Sequence, residues 1–397
     1  MAPNQGLVHL KEYDIEDSNV ELIGSDIDHQ VKYNSATTEP AWNDGKVGFV
    51  PGLFVWRIEK FEVIPWPREK YGKFHTGDSY IVLHTVKASE QSEDPEKLFH
   101  DIFFWLGSET TQDEAGTAAY KTVELDEFLR GVAVQHREVE AEPSEDFLRL
   151  FPRLTILAGG ISTGFRHVEE EEKEDIITLL RVFKASSGGV SSTVVHEVAP
   201  SWRSLDDTDV FILDLGDKIW VWQGRKCSPM EKAKAAQVVH DMTLAKHVPV
   251  EVLSQEESRS RRVVSLLGGD DVTETSFSAP RPCFRSGAAS ASSAPSAASR
   301  KLFRISDSSG SLTFHLANSG SSIGRSDLDG SDVFLLDTGR DIWVWEGRRA
   351  SKAEKASWLM LAQGYVRWLN SRGNSVRPIA KVVEGNESPA FLRALAV

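Results

Sequence analysis

Short apolar runs return along the chain in a fixed order. Val210-Phe211-Ile212-Leu213 and Ile219-Trp220-Val221-Trp222 are β-branched and aromatic, and Leu215-Gly216-Asp217-Lys218 lies between them. That pattern predicts two strands joined by a tight turn. The same order recurs, without a gap, from Ser331-Asp332-Val333-Phe334 to Ile342-Trp343-Val344-Trp345-Glu346-Gly347. A more divergent copy starts at Gly77-Asp78-Ser79-Tyr80 and resumes at Ile102-Phe103-Phe104-Trp105. The polar insertion between its halves, Lys87 to Lys97, predicts a longer hairpin loop, which costs little closure entropy.

Each copy follows another strand-like run: Leu53-Phe54-Val55-Trp56-Arg57-Ile58, Leu179-Leu180-Arg181-Val182-Phe183 and Leu302-Phe303-Arg304-Ile305. Strong helix formers come after, as in Glu231-Lys232-Ala233-Lys234-Ala235-Ala236 and Glu354-Lys355-Ala356-Ser357. A glutamate stands at one spacing after the last tryptophan of every copy: Trp105 to Glu114, Trp222 to Glu231, Trp345 to Glu354. One unit is therefore strand, hairpin, helix, and three units build an α+β protein in which a mixed sheet is covered by a long helix. The expected divisions are a leader over 1–51, units over 52–168, 169–272 and 301–397, and an Ala/Ser-rich flexible linker over 273–300. The acidic run Glu169-Glu170-Glu171-Glu172 should be a solvated connection.

Composition narrows the function. A net charge of −14 and a pI near 5.3 argue against a broad grip on nucleic acid, which needs clustered Lys and Arg. Cys227 and Cys283 are the two cysteines, no apolar signal core opens the chain and no run of about eighteen apolar residues occurs, so a cytoplasmic protein is expected. Gly160-Ile161-Ser162-Thr163-Gly164 matches a nucleophile-elbow pattern, but a His-Val pair and acidic residues follow it where the elbow needs a helix. Asp327-Leu328-Asp329-Gly330 places its glycine too early for an EF-hand. No catalytic residue is assigned, and an enzyme is not expected.

Longer segments carry a resemblance. GLFVWRIEKFEVIPWP (52–67), TGDSYIVL (76–83), FWLGSETTQDEAGTAA (104–119), LDEFLRGVAVQHREVE (125–140) and GGISTGFRHV (159–168) resemble the first repeat of the gelsolin/villin superfamily. DIEDSNVELIGSD (14–26) and TEPAW (38–42) are similar to the leader of its three-repeat severin and fragmin members. The resemblance implies three gelsolin-like repeats, each a central mixed β-sheet between a long and a short helix. It implies Ca2+ in each repeat, held at Gly77, Asp78, Glu114 and Ile161 in the first, at Thr208, Asp209 and Glu231 in the second, and at Ser331, Asp332 and Glu354 in the third. Asp270 and Asp271 are candidates to complete the second site. Hard oxygens from a carboxylate pair and backbone carbonyls suit that ion.

A further calcium, shared with a partner's acidic residue, would use Asp126, Gly131 and Ala133. The implied partner is actin, as monomer and at the filament barbed end. It would be gripped by the long helix expected over Gln112 to Phe128, through Gln112, Ala115, Ala119, Tyr120 and Val123, with Phe165 just beyond the repeat. The implied function is severing of filaments and capping of barbed ends by a cytoskeletal monomer. Capping without severing, and a calcium-dependent scaffold for a partner other than actin, are the alternatives. Where relatives carry basic runs for phosphoinositide, LFPRLTILAGG (150–160) and LLRVFKASSGG (179–189) hold one and two basic residues, which argues against that ligand.

Overall fold

The computed structural model describes residues 33–88, 96–160, 177–184, 193–278, 281, 300–320, 323–371 and 377–396. In the first repeat a short helix over 33–38 (α1) precedes β1 (Gly52–Glu59), β2 (Glu62–Pro65), β3 (Lys73–His75), β4 (Ser79–Lys87), β5 (Leu98–Leu106), helix α2 (Gln112–Phe128), β6 (Val134–Val139), α3 (Glu145–Arg149) and β7 (Leu154–Leu157). The second has β8 (Thr178–Lys184), β9 (Thr193–Val198), β10 (Val210–Asp214), β11 (Ile219–Gln223), α4 (Pro229–Lys246), β12 (Val250–Ser254) and α5 (Arg261–Leu266). The third has β13 (Lys301–Ser306), β14 (Thr313–Ser319), β15 (Val333–Asp337), β16 (Ile342–Glu346), α6 (Lys352–Ser371), β17 (Ile379–Val383) and α7 (Pro389–Ala396).

Both faces of each sheet are buried, which is why the hairpin strands read as continuous apolar runs rather than alternating ones. The long helix covers one face and the short helix the other. In the first repeat α2 packs over Trp56, Ile58, Ile81 and Phe104, and α3 brings Phe147 against Phe74, Tyr80 and Trp105. In the second, α4 covers Ile212 and Val221 while α5 covers Phe211 and Trp222. In the third, α6 covers Leu335 and Val344 while α7 brings Phe391 to Phe334 and Trp345. The leader joins this packing: Ala36, Trp42 and Val47 are buried in the first core, with the Trp42 ring edge-on to Trp56 at 5.0 Å.

Strands cross between repeats. One sheet of ten strands runs β14-β13-β15-β16-β17-β6-β5-β4-β1-β2, so the first and third repeats share a sheet where Ile379, Ala380 and Lys381 face Arg137, His136 and Gln135. Beside that seam the His136 ring meets Trp343 edge-on at 5.8 Å, and Arg393 reaches Asp146 at 3.3 Å. The other sheet runs β12-β11-β10-β8-β9-β7-β3, so two strands from the first repeat's own sequence extend the sheet of the second. Arg153 pairs with Asp241 at 2.8 Å, and Glu140 meets His196 at 3.3 Å across the same boundary.

Candidate metal centres

In all three repeats the sequence builds one junction. The aspartate that opens the hairpin offers its carbonyl to a glycine amide at the hairpin's far end: Gly107 to Asp78 at 3.1 Å, Gly224 to Asp209 at 2.9 Å, Gly347 to Asp332 at 3.1 Å. A Cβ on these glycines would lie 2.9, 2.7 and 2.7 Å from those carbonyls, so only glycine lets the strand ends approach this closely. The helix then starts on a hydroxyl cap, with Thr111, Ser228 and Ser351 accepting from the amides of Glu114, Glu231 and Glu354 at 3.2, 3.3 and 3.1 Å. The recurring glutamate is therefore fixed in the first helical turn and aimed back at the strand edge.

At the first junction Asp78 and Glu114 are 1% and 2% exposed, and burial pushes the Glu114 carboxyl above its usual range with the Asp78 charge adding to the shift. Asp78 accepts from the Tyr80 hydroxyl at 3.0 Å and from Arg57 Nη1 at 3.4 Å. The Gly77 amide donates to the Gly159 carbonyl at 2.8 Å, and Gly160 lies so close that a Cβ there would sit 2.5 Å from Asp78 Oδ1. Ile161 and Phe165, like the Gly160–Gly164 elbow beyond its first residue, lie outside the described residues.

At the second junction Asp209 bonds Arg181 Nε at 2.5 Å, and Arg181 Nη2 also holds Asp206 at 2.8 Å. The amide and hydroxyl of Thr208 donate to the other Asp206 oxygen at 3.1 and 2.8 Å. Glu231 accepts from the amides of Ser228 at 2.7 Å and Lys184 at 2.9 Å, tying helix to first strand. Burial pushes the Asp209 carboxyl up to about 7; Arg181 opposes the shift, and Asp206 and Glu231 add to it. Asp270 and Asp271 do not gather here. Both are exposed, and Asp270 lines a groove with Trp222, Gln255 and Phe277, so Asp206 is the additional carboxylate that the fold supplies.

The third junction has Asp332 held by Arg304 Nε at 2.9 Å and Nη2 at 2.5 Å, with Glu354 accepting from the amides of Ser351 at 2.9 Å and Asp307 at 2.8 Å. Ser331 donates its amide to Asp329 at 3.0 Å. Burial again raises the Glu354 carboxyl. Buried, like-charged oxygens of this kind are stabilised by a nearby cation, a part that Arg57, Arg181 and Arg304 play at Asp78, Asp209 and Asp332, and each oxygen of Glu231 and Glu354 keeps a lone pair beyond its one amide bond. An aspartate and a glutamate at each junction supply hard oxygens of the kind that calcium takes, although no cluster of three or more acidic, histidine or cysteine side chains that could hold a metal ion occurs among the described residues.

Asp126 sits in the last turn of α2, away from the first junction. Its oxygens accept from the Ala133 amide at 3.0 Å and Gln135 Nε2 at 2.6 Å, and the Gly131 amide donates to its carbonyl at 2.8 Å, with Gly131 at φ +69°. Burial raises its carboxyl to about 6, opposed by Lys381, which the shared sheet sets opposite Gln135. On α2 the expected apolar stripe is rotated. Ala115 and Ala119 are half-buried against the core, both to one side of the fully buried Ala118 on the helical wheel, and Val123 is half-buried. The outward groove is lined by Gln112 and Tyr120 of the expected set, together with Gly116, Thr117 and Phe61.

Sequence reasoning missed Phe61, which is 62% exposed in a turn where Lys60 and Phe61 take φ of +48° and +70°. It also missed the arginines. Their signal was present, since each first-strand run contains one: Arg57, Arg181 and Arg304.

The family model described as Gelsolin repeat matches residues 60–148, 191–263 and 323–392. The chain is 38% identical to "Gelsolin-like protein 1" of Lumbricus terrestris over 394 residues, covering 98% of this chain and 99% of that one. It is 35% identical to "Severin" of Echinococcus granulosus over 399 residues, covering 98% and 99%. Against "Gelsolin" of Gallus gallus it is 34% identical over 352 residues, which is 87% of this chain and 42% of that one. Fold and junctions together define a three-repeat α+β protein whose units share one hairpin-and-long-helix plan. The chain belongs to the gelsolin family, whose members are actin-binding structural proteins and not enzymes. Among the described residues no helix is long and apolar enough to cross a membrane.

Proposed function

We propose that this chain is a calcium-dependent, cytoplasmic, monomeric protein that severs actin filaments and caps their barbed ends. The observation that carries the reading is a juxtaposition in the first repeat. A buried carboxylate pair, Asp78 and Glu114, fixes the start of the same helix whose outer face presents Tyr120 beside the exposed Phe61.

The carbonyl of Gly77 with Asp78 and Glu114 would hold one ion, Thr208, Asp209 and Glu231 a second, and Ser331, Asp332 and Glu354 a third. Bound there, calcium supplies neutralising charge and a cross-link between strand edge and helix. The chain's own residues do the rest. Tyr120 and Phe61 offer large amphipathic and apolar surface, the kind of anchor that carries most of an interface's energy, to an apolar cleft on actin. Asp126, Gly131 and Ala133 would face a partner carboxylate through a shared cation once β17 leaves β6, because the charge of Lys381 on β17 now acts on the buried Asp126.

Of the three basic residues where relatives carry basic runs, Arg153 is paired with Asp241 and Arg181 with Asp206 and Asp209, which leaves the exposed Lys184. So sparse a basic surface argues against strong phosphoinositide binding. The test is disassembly of pyrene-labelled filaments diluted below the critical concentration, with calcium and with chelator. Faster disassembly in calcium is expected. Slower disassembly would leave a cap that does not sever, and no change in either condition would point to a partner other than actin.

A further inference from the structure

The three first-strand arginines occupy one position in the fold. Arg57 is paired across the sheet with Tyr80, Arg181 with Phe211 and Arg304 with Phe334, in each case the residue two places beyond the junction aspartate. Each guanidinium reaches that aspartate. We infer that Arg57, Arg181 and Arg304 are resident counter-ions that a divalent cation must displace, and that their unequal grip sets the order in which the junctions fill. The inference rests on the reading of these junctions as cation sites.

A guanidinium stays charged at every relevant pH and donates five N–H groups in a planar fork, so it satisfies a buried carboxylate in the absence of metal. It also repels a dication that needs the same oxygens. Binding at each junction is therefore an exchange of one cation for another rather than a simple filling.

The strength of the resident bond differs among the repeats. Arg57 stands 3.4 Å from Asp78 and is drawn away by a closer contact with Glu59 and by the Trp66 ring, whose centroid is 4.6 Å from its guanidinium carbon. Arg304 grips Asp332 through two nitrogens, but its side chain is 37% exposed and can swing into water. Arg181 is buried and fastened to Asp209, to Asp206 and to the Arg281 carbonyl at 2.8 Å. The first repeat fills at the lowest calcium, the third next and the second last.

The experiment is calorimetric titration of the full chain with calcium chloride, paired with thermal unfolding in chelator and in calcium. Arg304→Ala is the leading variant because its side chain is the most exposed of the three. It is expected to tighten one site by about tenfold or more, to lower the unfolding midpoint in chelator, and to recover that midpoint in calcium. Arg57→Ala is expected to change affinity by less than about threefold, and Arg304→Ala combined with Glu354→Gln to lose the gain. Calcium affinity in Arg304→Ala equal to or weaker than wild type, while Glu354→Gln alone weakens one site, would overturn the inference and leave the cation sites standing. No calcium uptake by the wild-type chain would remove the cation sites themselves, and the inference with them.

Discussion

In the first repeat the guanidinium of Arg57 lies between Glu59 and Asp78 and over the ring of Trp66; in the second, Arg181 lies between Asp206 and Asp209 with a backbone carbonyl behind it. Both repeats place an aspartate, a glutamate and an arginine at the same junction. What differs is one neighbouring carboxylate, which stands on the arginine's own strand in the first case and on the aspartate's loop in the second. Glu59 divides the arginine from the junction, whereas Asp206 binds it in. The comparison teaches that a short motif fixes where charges meet, while residues outside it fix how completely they cancel.

The sharpest way to break this comparison is to remove each arginine in chelator. Arg181→Ala leaves Asp206 and Asp209 buried without their guanidinium and should cost about 3–5 kcal/mol in urea unfolding. Arg57→Ala, with a longer bond to Asp78 and a half-exposed partner in Glu59, should cost about 1 kcal/mol or less. Equal losses would mean that the neighbouring carboxylates do not matter.

A smaller loss tests the frame that the repeats share. Gly224→Ala forces a Cβ to within 2.7 Å of the Asp207 and Asp209 carbonyls and should destabilise by about 1–3 kcal/mol, seen as a lower urea midpoint at unchanged slope. A neutral result would show that the strand end can move without penalty.

The seam between the first and third repeats should respond to pH. Burial raises the Asp341 carboxyl to about 7, with Glu138, Asp146 and Glu142 adding to the shift and Arg340 opposing it. Burial lowers His136, but its bond and charge contact with Asp101 outweigh that and its pKa is raised. The Asp341 carboxyl, raised by burial and by first-repeat charges across the seam, takes up a proton on closing, whereas the His136 shift comes from Asp101 in its own repeat and is common to both forms. Closure is thus favoured at acid pH and weakens as pH climbs from the ordinary aspartate value of 3.8 through about 7. Small-angle scattering in chelator should show a more compact chain at acid pH than at alkaline pH, and Asp341→Asn should flatten part of that trend.

The smallest effect expected on stability is at the exposed turn. Phe61→Ala should shift unfolding by no more than about 0.5 kcal/mol, because the ring packs little and its backbone is left-handed. Its consequence should fall on actin affinity, measured by co-sedimentation; undiminished affinity would remove Phe61 from the binding face.

Much of this was legible from the residues alone. The hairpins and the first strands follow from local pattern, because β-branched runs and turn residues act over short distances, and the span of α2 from Gln112 to Phe128 is the one the family resemblance implied. Which sheet a strand joins does not follow from local pattern. Lys73–His75 and Leu154–Leu157 fall within 52–168, the span read as the first repeat, yet tertiary contact places them in the second repeat's sheet. The rotation of α2 was hidden for a related reason, since alanines suit either face of a helix and only the packed Ala118 decides between them. Arg57, Arg181 and Arg304 went unread because a charged residue in a strand is ordinarily a solvated edge; alignment of the three first strands would have exposed the recurrence. Asp206, two residues before Thr208, was passed over for the more distant Asp270 and Asp271, although the loop geometry puts it at the junction.

The pairing of β6 with β17 rests on three facing residues on each side. When that seam parts, β6 and β17 each become a raw border with amides and carbonyls turned outward, a ready template for any extended chain nearby. Parting the seam would thus add two edges to those the closed form already has at β14, β2, β12 and β3, and an opened chain with no partner should self-associate more readily.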